Sequence, residues 1–342
     1  MKKSIKTLVI VALSLALLTV FLRGAHLDVV WLEIKRADAW LIAISTASTV
    51  LVTALRAFRW QYLLAPIGVA RFRPAFRTTM IGFAVSSVLP ARPGEVIRPY
   101  LLARQEGLSA TATFATIVVE RLLDSVTVVL MLASFVVFFD PGMATTDNTM
   151  YRLVRVGGLT VGAATLFLLG VMFFAARDPQ ALARWAYKLE HLLPGRLTHK
   201  LAGLLNSFAE GLAVVRAPKR LLVALALSVP LWLVIALGVW TVVLGFHIDL
   251  PFTGSFLLLA LLAVGVSVPT PGGVGGFEAA VQIGLTKFYL VPNDTAVGAA
   301  LVLHATSILP TVVLGFLFLI QDGLKLGSMQ KLASAVAQGD TP

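Results

Sequence analysis

The sequence predicts an all-α, polytopic helical membrane protein with about six full spans and two broken re-entrant hairpins in an inverted repeat. Composition is the first reason, because 58% of the 342 residues are hydrophobic and only 13% are charged. A soluble chain of this length could not bury so much apolar surface, so a lipid bilayer is the expected solvent. The second reason is the series of long apolar runs, and the third is that proline and glycine interrupt two of them.

The spans form a single integral membrane domain and follow from counting about 20 apolar residues for each crossing. They are 5–22, 39–62, 109–138, 153–175, 219–245 and 295–321. The first span starts like a signal peptide, but no small-x-small cleavage site follows, so we expect a retained helix. Residues 23–38 form a short polar segment of mixed charge. The basic stretch 176–218 has apolar residues at helical spacing, which predicts amphipathic helices on the cytoplasmic membrane surface.

Loop charge predicts the orientation. Three segments are rich in Lys and Arg: the N-terminus, 65–108 and 176–220. Three others carry Asp and almost no basic residue: 140–150, 246–253 and 291–295. The positive-inside rule then places both termini in the cytoplasm. We expect the chain to lie in the cytoplasmic (inner) membrane. The net charge of +11 is assigned to contact with anionic lipid headgroups, and nucleic acid is not an expected partner.

Two interrupted apolar runs organise the chain. They are SSVLPARPGEVIRPYL (86–101), within a predicted hairpin at 74–104, and VSVPTPGGVGGFEAAVQ (266–282), within a predicted hairpin at 254–290. A break of this kind frees backbone N–H and C=O groups, which survive at membrane depth only when packed in protein or lining a polar cavity. The units 39–138 and 219–321 would have opposite topology, and paired breaks in an inverted repeat indicate a transporter's binding site.

The first hairpin holds four candidate substrate-binding residues: Arg92, Gly94, Glu95 and Arg98. The planar guanidinium of arginine suits a phosphate or carboxylate, and a helix that begins at Gly94 adds free N–H groups and a positive dipole end. An anionic headgroup is therefore the expected ligand. Glu95 would hold an arginine in place or bind an amine of a zwitterionic substrate. The alternative is that Arg92 and Arg98 pair only with Glu95 and Glu120.

The second hairpin holds a glycine run, which could present N–H groups to a phosphate or allow close helix packing. The candidates in this run are Gly272, Gly273, Gly275 and Gly276. Glu278 would carry a coupling proton or pair with an arginine of the first hairpin. His304, in the last span, would join a proton relay or serve as a packing residue.

The span at 109–138 carries Glu120, Arg121 and Asp124 near its centre. Each charge at that depth costs about 2.5–3.5 kcal/mol on insertion scales, so we expect the three to face the bundle interior. Arg121 and Asp124 are three residues apart and can pair. The group would line the translocation path or provide a counter-charge to Arg92 or Arg98, or it would form a fixed ion network that braces the first hairpin.

The ordered set LPARPGEVIRPYLLARQEGLSATATFATIVVERLLD and PTPGGVGGFEAA resembles the flippase-like integral membrane family that includes the membrane region of lysylphosphatidylglycerol synthases and related proteins of polyprenyl-phosphate sugar and hopanoid pathways. The resemblance covers about residues 5–325. It implies translocation of an anionic or aminoacylated phospholipid, or of a polyprenyl-phosphate-linked lipid. The matching positions are Arg92, Gly94, Glu95, Arg98, Glu120, Arg121, Asp124, Pro271, Gly272, Gly273, Gly275 and Glu278. The synthases' aminoacyl-transfer domain has no room in a tail ending at Pro342, so synthesis of the lipid is not expected.

The sequence is compatible with three classes of function, of which a lipid flippase or transporter is the one predicted. A membrane enzyme acting on lipid phosphates is disfavoured, since no lipid-phosphatase histidine motif, Asp-x-Asp pair, Ser–His dyad or nucleotide-binding loop is present, and no cofactor or metal is expected. The carboxylates could still form an unfamiliar acid–base site. The third class is a non-transporting partner of a lipid-modifying enzyme, and a homo-oligomer is compatible with each. The absence of cysteine excludes thiol catalysis, disulfides and Cys-ligated metals.

Overall fold

The computed structural model describes residues 2–89, 92–138, 148–177, 203–205, 207–268, 270–327 and 329. Within these ranges the chain is helical and contains no strand, which confirms the predicted all-α fold. The helices are α1 Lys2–Leu22, α2 Leu27–Arg36, α3 Ala39–Leu64, α4 Phe72–Val88, α5 Gly94–Glu106, α6 Ala110–Phe138, α7 Asn148–Arg177, α8 Ala213–Arg216, α9 Pro218–Gly245, α10 Gly254–Gly265, α11 Gly276–Ile283 and α12 Asn293–Gln321. A 3₁₀ turn, Pro271–Gly273, precedes α11 and a π-helical turn, Gly284–Phe288, follows it.

Six of the helices in the described part of the chain, α1, α3, α6, α7, α9 and α12, have 21 to 30 residues. At about 1.5 Å per residue they are roughly 30–45 Å long, enough to cross a hydrocarbon core of about 30 Å. They coincide with the six predicted spans. Four of them, α3, α7, α9 and α12, are each long and apolar enough, on average, to cross a membrane. The protein is therefore a multi-pass membrane protein.

Helix α2 was missed by the sequence analysis, which describes residues 23–38 only as a polar segment. It turns by 81° from α1 and lies against the first turns of α12, where Thr295 Oγ1 donates to Glu33 Oε2 at 3.3 Å. Asp28 in its first turn and Lys35 and Arg36 in its last turn complement the helix dipole. The sequence shows no clear helical periodicity here, because charged and apolar residues alternate irregularly. The apolar face is also narrow, since only Val30 of this helix is fully buried.

Both predicted hairpins are re-entrant, with slightly different ends from those predicted: the chain returns to the side from which it came. In the first, Arg71 before α4 and Glu106 at the end of α5 form an ion pair at 3.2 Å. In the second, a Cβ on Gly254 at the start of α10 would meet the hydroxyl of Tyr289, which follows the π turn. The two ends of each hairpin therefore meet.

The arms of each hairpin cross at a pair of glycines. A Cβ on Gly94 would overlap the carbonyl oxygen of Gly82, and a Cβ on Gly265 would overlap that of Gly276. Small residues let two helix backbones approach this closely. The arms of both hairpins therefore pack in the same way, through a close contact between two glycines, although the two sequences differ.

The hairpins are inserted among the long helices. Helix α3 packs along α9, α12 packs along α4, and α6 contacts both α5 and α10. This arrangement places the break of each hairpin inside the bundle. Most of the predicted surface segment, 178–202 and 206, lies outside the described residues. Its described end is packed rather than exposed, because Leu212, Val214 and Val215 are buried.

Candidate functional site

A polar cavity of about 290 Å³ lies where the two hairpin breaks meet α3, α9 and α12. Arg92 from the first break and Gly272 from the second both line it. The lining residues of α3 and α12, 45–56 and 303–311, lie in the middle part of those helices, so the cavity lies near the centre of the spans. Eight hydroxyl side chains line it: Ser45, Ser48, Thr49, Thr53, Ser86, Ser87, Ser307 and Thr311.

Arg92 is placed at the tip of the first hairpin by an unusual backbone conformation. Its φ of 51° is left-handed, which costs a residue with a side chain roughly 1–2 kcal/mol. Its guanidinium forms no ion pair with any side chain in the described ranges, and Glu95, which is half-buried, forms none there either. Arg92 therefore faces the cavity as an uncommitted cation.

A buried ion network lies beside the cavity, and Glu120 and Asp124 of α6 are its centre. Arg98 of α5 binds Glu120 with two hydrogen bonds, of 2.9 and 3.2 Å. Arg56 of α3 donates to Asp124 at 2.9 Å and to Glu120 at 3.2 Å. Arg59 lies 2.8 Å from Asp124. The two carboxylates therefore join the first hairpin, α3 and α6.

Two tryptophans complete the packing of this network. The ring of Trp60 lies 3.9 Å from the guanidinium carbon of Arg98, a cation–π contact, and its Nε1 donates to Thr116. Trp232 Nε1 of α9 donates to Asp124 at 3.1 Å. These contacts fix the orientation of the charged groups and bring α9 into the same unit.

The network holds more positive than negative charge. The side chains of Arg56, Arg59 and Arg98 are 8%, 0% and 2% exposed, and only two buried carboxylates face them. Arg121 adds a fourth cation, 3.4 Å from Glu120, and is 39% exposed. The Nε atoms of all four arginines have no hydrogen-bond partner among the described residues. Since an uncompensated charge is costly at this depth, an anion in the adjoining cavity would stabilise the site.

Glu278 and His304 form a second polar unit behind the tip of the second hairpin. Glu278 accepts from the backbone N–H of Gly275 at 2.7 Å, and its other oxygen lies 2.6 Å from His304 Nδ1. His304 Nε2 lies 3.0 Å from the carbonyl oxygen of Gly272. Phe277 stacks on the imidazole at 4.4 Å. His304 thus connects the carboxylate to the tip that lines the cavity.

This geometry requires one shared proton. A carbonyl oxygen only accepts, so His304 Nε2 must carry a proton to bond Gly272. A bond between Nδ1 and the carboxyl of Glu278 then needs one further proton between them, on either atom. The pair would lose this bond if that proton left, because a nitrogen lone pair would then face a carboxylate at 2.6 Å.

The structure separates the predicted candidates into three groups. Arg92 and Gly272 line the cavity, whereas Arg98 points away from it to Glu120. The N–H groups of Gly94 and Gly275, predicted as phosphate donors, are used by Ser86 and Glu278. Gly273 lies in the 3₁₀ turn and Gly276 packs against Gly265, while Glu278 pairs with His304 rather than with an arginine.

Sequence analysis did not single out Arg56 and Arg59, which lie in the last third of the predicted span 39–62. A signal was present, since Ser45, Thr49, Thr53 and Arg56 recur every three or four residues and so share one face of a helix. A polar stripe on an otherwise apolar span indicates a face that is turned toward protein or a polar cavity.

The fold and the cavity define a class of polytopic membrane protein in which two re-entrant hairpins enclose a polar site at central depth. Residues 7–315 match the family model described as "Lysylphosphatidylglycerol synthase TM region". The match covers most of the chain, so the chain belongs to this family, as its motifs predict.

Three relatives are similar over most of this chain. Glycosyltransferase AglD of Haloferax volcanii is 25% identical over 338 residues, covering 90% of this chain and 52% of the relative. The UPF0104 membrane protein MJ1595 of Methanocaldococcus jannaschii is 21% identical over 332 residues, covering 93% and 95%. A UPF0104 membrane protein of Methanothermobacter thermautotrophicus is 21% identical over 281 residues, covering 77% and 80%. The chain thus spans about half the length of AglD and nearly all of the MJ1595 protein.

Proposed function

We propose that the protein is a lipid flippase or transporter that moves a phosphate-bearing lipid across the cytoplasmic membrane. The observation that carries the proposal is the cavity, which joins both hairpin tips to a surplus of arginine at central depth. A headgroup crossing the bilayer needs polar contacts at the centre, where exposure of a charge to hydrocarbon is most costly. We propose a transport role rather than an enzymatic one.

In this mechanism the lipid phosphate binds between Arg56 and Arg92, and its acyl or isoprenoid tail stays in the bilayer. Arg98 acts indirectly, because it holds Glu120, which in turn helps to orient Arg56. The two hairpins rock against each other about the cavity, as the predicted inverted repeat requires. Loop charge supports an orientation with both termini in the cytoplasm.

The Glu278–His304 pair is our candidate for proton coupling. It holds one shared proton and bonds the Gly272 carbonyl, so its protonation acts on the tip of the second hairpin. The membrane potential or a downhill lipid gradient would be the driving force if the pair is only structural.

A second candidate function is that of a membrane partner for a lipid-modifying enzyme. It is favoured by the comparisons, since the family model is described as a region of a synthase and AglD is named a glycosyltransferase. In this case the chain would present a lipid to the enzyme without translocating it.

The test is lipid translocation by the purified protein in vesicles that contain a fluorescent phospholipid, with dithionite added outside. We expect wild type to accelerate the loss of inner-leaflet fluorescence and Arg92→Gln to slow that loss by about tenfold, as when one charged hydrogen bond is lost. Arg73→Gln is the matched control, because Arg73 is exposed and does not line the cavity. Rates equal to those of protein-free vesicles for every anionic lipid would refute translocation and favour the partner role.

A further inference from the structure

The charge of the cavity wall distinguishes between headgroups. Arg56 and Arg92 are the charged residues that line it, and no aspartate or glutamate of the described chain does so. Glu120 and Asp124, which bind Arg56, are already held by buried arginines, and Glu95 and Glu278 do not line the cavity. An ammonium group in this cavity would therefore meet two guanidinium groups and no free carboxylate.

Most of the hydroxyl groups of the wall donate to carbonyl groups of their own helices. Ser48 donates to the carbonyl of Ser45 at 2.7 Å, Ser307 to that of Leu303 at 2.7 Å, and Thr311 to that of Ile308 at 2.8 Å. Each O–H is thus used by the backbone, and the oxygen lone pairs remain as acceptors.

The same orientation holds on other parts of the wall. Thr53 donates to the carbonyl of Thr49 at 3.1 Å, and Ser87 donates to that of Phe83 at 2.9 Å. A ligand that satisfies a wall of acceptors must bring hydrogen-bond donors. With ammonium disfavoured by the arginines, the remaining common donors in lipid headgroups are hydroxyl groups.

The size of the cavity sets a limit on the headgroup. Its volume of about 290 Å³ is at the lower end of the range of roughly 300–1,000 Å³ that is usual for small-molecule sites. It has room for one phosphate and one small polyol, with the hydrocarbon tail outside.

We infer that the cavity selects a lipid whose headgroup is a phosphate-linked polyol, such as phosphoglycerol or a sugar phosphate, and rejects the same headgroup when it carries an aminoacyl group. This inference rests on the proposed function and narrows its substrate. The arginines bind the phosphate, the serine and threonine oxygens accept from the polyol, and an added ammonium is repelled.

The test compares three fluorescent lipids with the same tails in the vesicle assay: phosphatidylglycerol, its lysyl ester and phosphatidylmethanol. Phosphatidylmethanol keeps the single negative charge but has no hydroxyl groups, and the lysyl ester keeps a hydroxyl but is cationic. We expect phosphatidylglycerol to move about tenfold faster than the lysyl ester and about threefold faster than phosphatidylmethanol, effects the size of one charged and one neutral hydrogen bond.

Variants assign each preference to its residues. Arg92→Gln should reduce the preference over the lysyl ester, and Arg92→Lys should restore it. Thr311→Val should reduce only the preference over phosphatidylmethanol. Thr160→Val is its control, because Thr160 is exposed on α7 and also donates to its own helix. Equal rates for the three lipids, or a faster lysyl ester, would overturn the inference alone. No movement of any lipid would overturn the proposed function and the inference with it.

Discussion

Neutralising Glu120 should destabilise the protein more than any conservative change on its surface. In Glu120→Gln, Arg98 loses a two-bond carboxylate partner and Arg56 loses one of its two. Glu120 is 0% exposed, so water cannot replace the lost charge. Three buried arginines would then face only Asp124. Removing one partner from a buried ion pair costs about 3–5 kcal/mol.

The predicted loss can be read as a shift in Tm. At about 2 °C per kcal/mol, the lower end of the scale for large domains, Tm should fall by roughly 6–10 °C. Circular dichroism of the purified protein in detergent micelles measures this shift. The matched control is Glu95→Gln, because Glu95 is half-buried on the same hairpin and forms no ion pair within the described residues. We expect the Tm of the control to change by no more than about 1 °C.

A double substitution separates lost pairing from lost packing. Arg98→Met combined with Glu120→Met removes both members of the pair that is joined by two hydrogen bonds and fills their volume with apolar side chains, which is often nearly neutral. The double variant should therefore be more stable than Glu120→Met alone, which leaves Arg98 without its carboxylate, by at least about 1 kcal/mol. Equal stability of Glu120→Gln and Glu95→Gln would refute this reasoning, since the ion pairs of Glu120 would then contribute no more stability than a carboxylate without an ion pair.

Two further predictions concern the second hairpin. Gly276→Ala places a Cβ against the Gly265 carbonyl and should lower the free energy of unfolding by about 1–3 kcal/mol. Gly157→Ala is the control and should be neutral, because a Cβ there meets nothing within 4 Å. Equal effects of the two substitutions on Tm would contradict the close crossing of the hairpin arms. Glu278→Ala should slow translocation, because it leaves the Gly275 N–H and His304 Nδ1 without their bonding partner, and Glu278→Gln should slow it less because its amide can replace both bonds. The vesicle assay measures both rates, and equal rates for wild type and Glu278→Ala would exclude a role for the pair in transport.

The fold was predictable because its signals are local. Long apolar runs, the Pro–Gly breaks and the three central charges of α6 each depend on a single segment of the chain. Helix α2 was the exception, since its apolar face is narrow and only Val30 is fully buried. Tertiary contact with α12, rather than its own composition, provides the partner for that face.

The site was predictable only in part, because it depends on which face of each helix meets which neighbour. Arg92 and Gly272 both line the cavity between the two hairpins, and their role in substrate binding stays a prediction. Arg98 was proposed as a ligand because a guanidinium suits a phosphate, with pairing to Glu120 as the alternative, and the structure has the Arg98–Glu120 pair. Arg56 takes its place on the wall, from a helix more than thirty residues earlier in the chain.

Arg56 makes the buried network and the cavity a single electrostatic unit, because it belongs to both. Its two carboxylate bonds use one side of the guanidinium, while its Nε has no partner in the described part of the protein. An anion that enters the cavity therefore binds a cation whose position is already fixed by α6, so little side-chain entropy is lost on binding. In the proposed function, the surplus of arginine, which costs stability when no anion is bound, would be the source of affinity for the lipid phosphate. This exchange would explain why four arginines surround two carboxylates at a depth where one pair would suffice for packing.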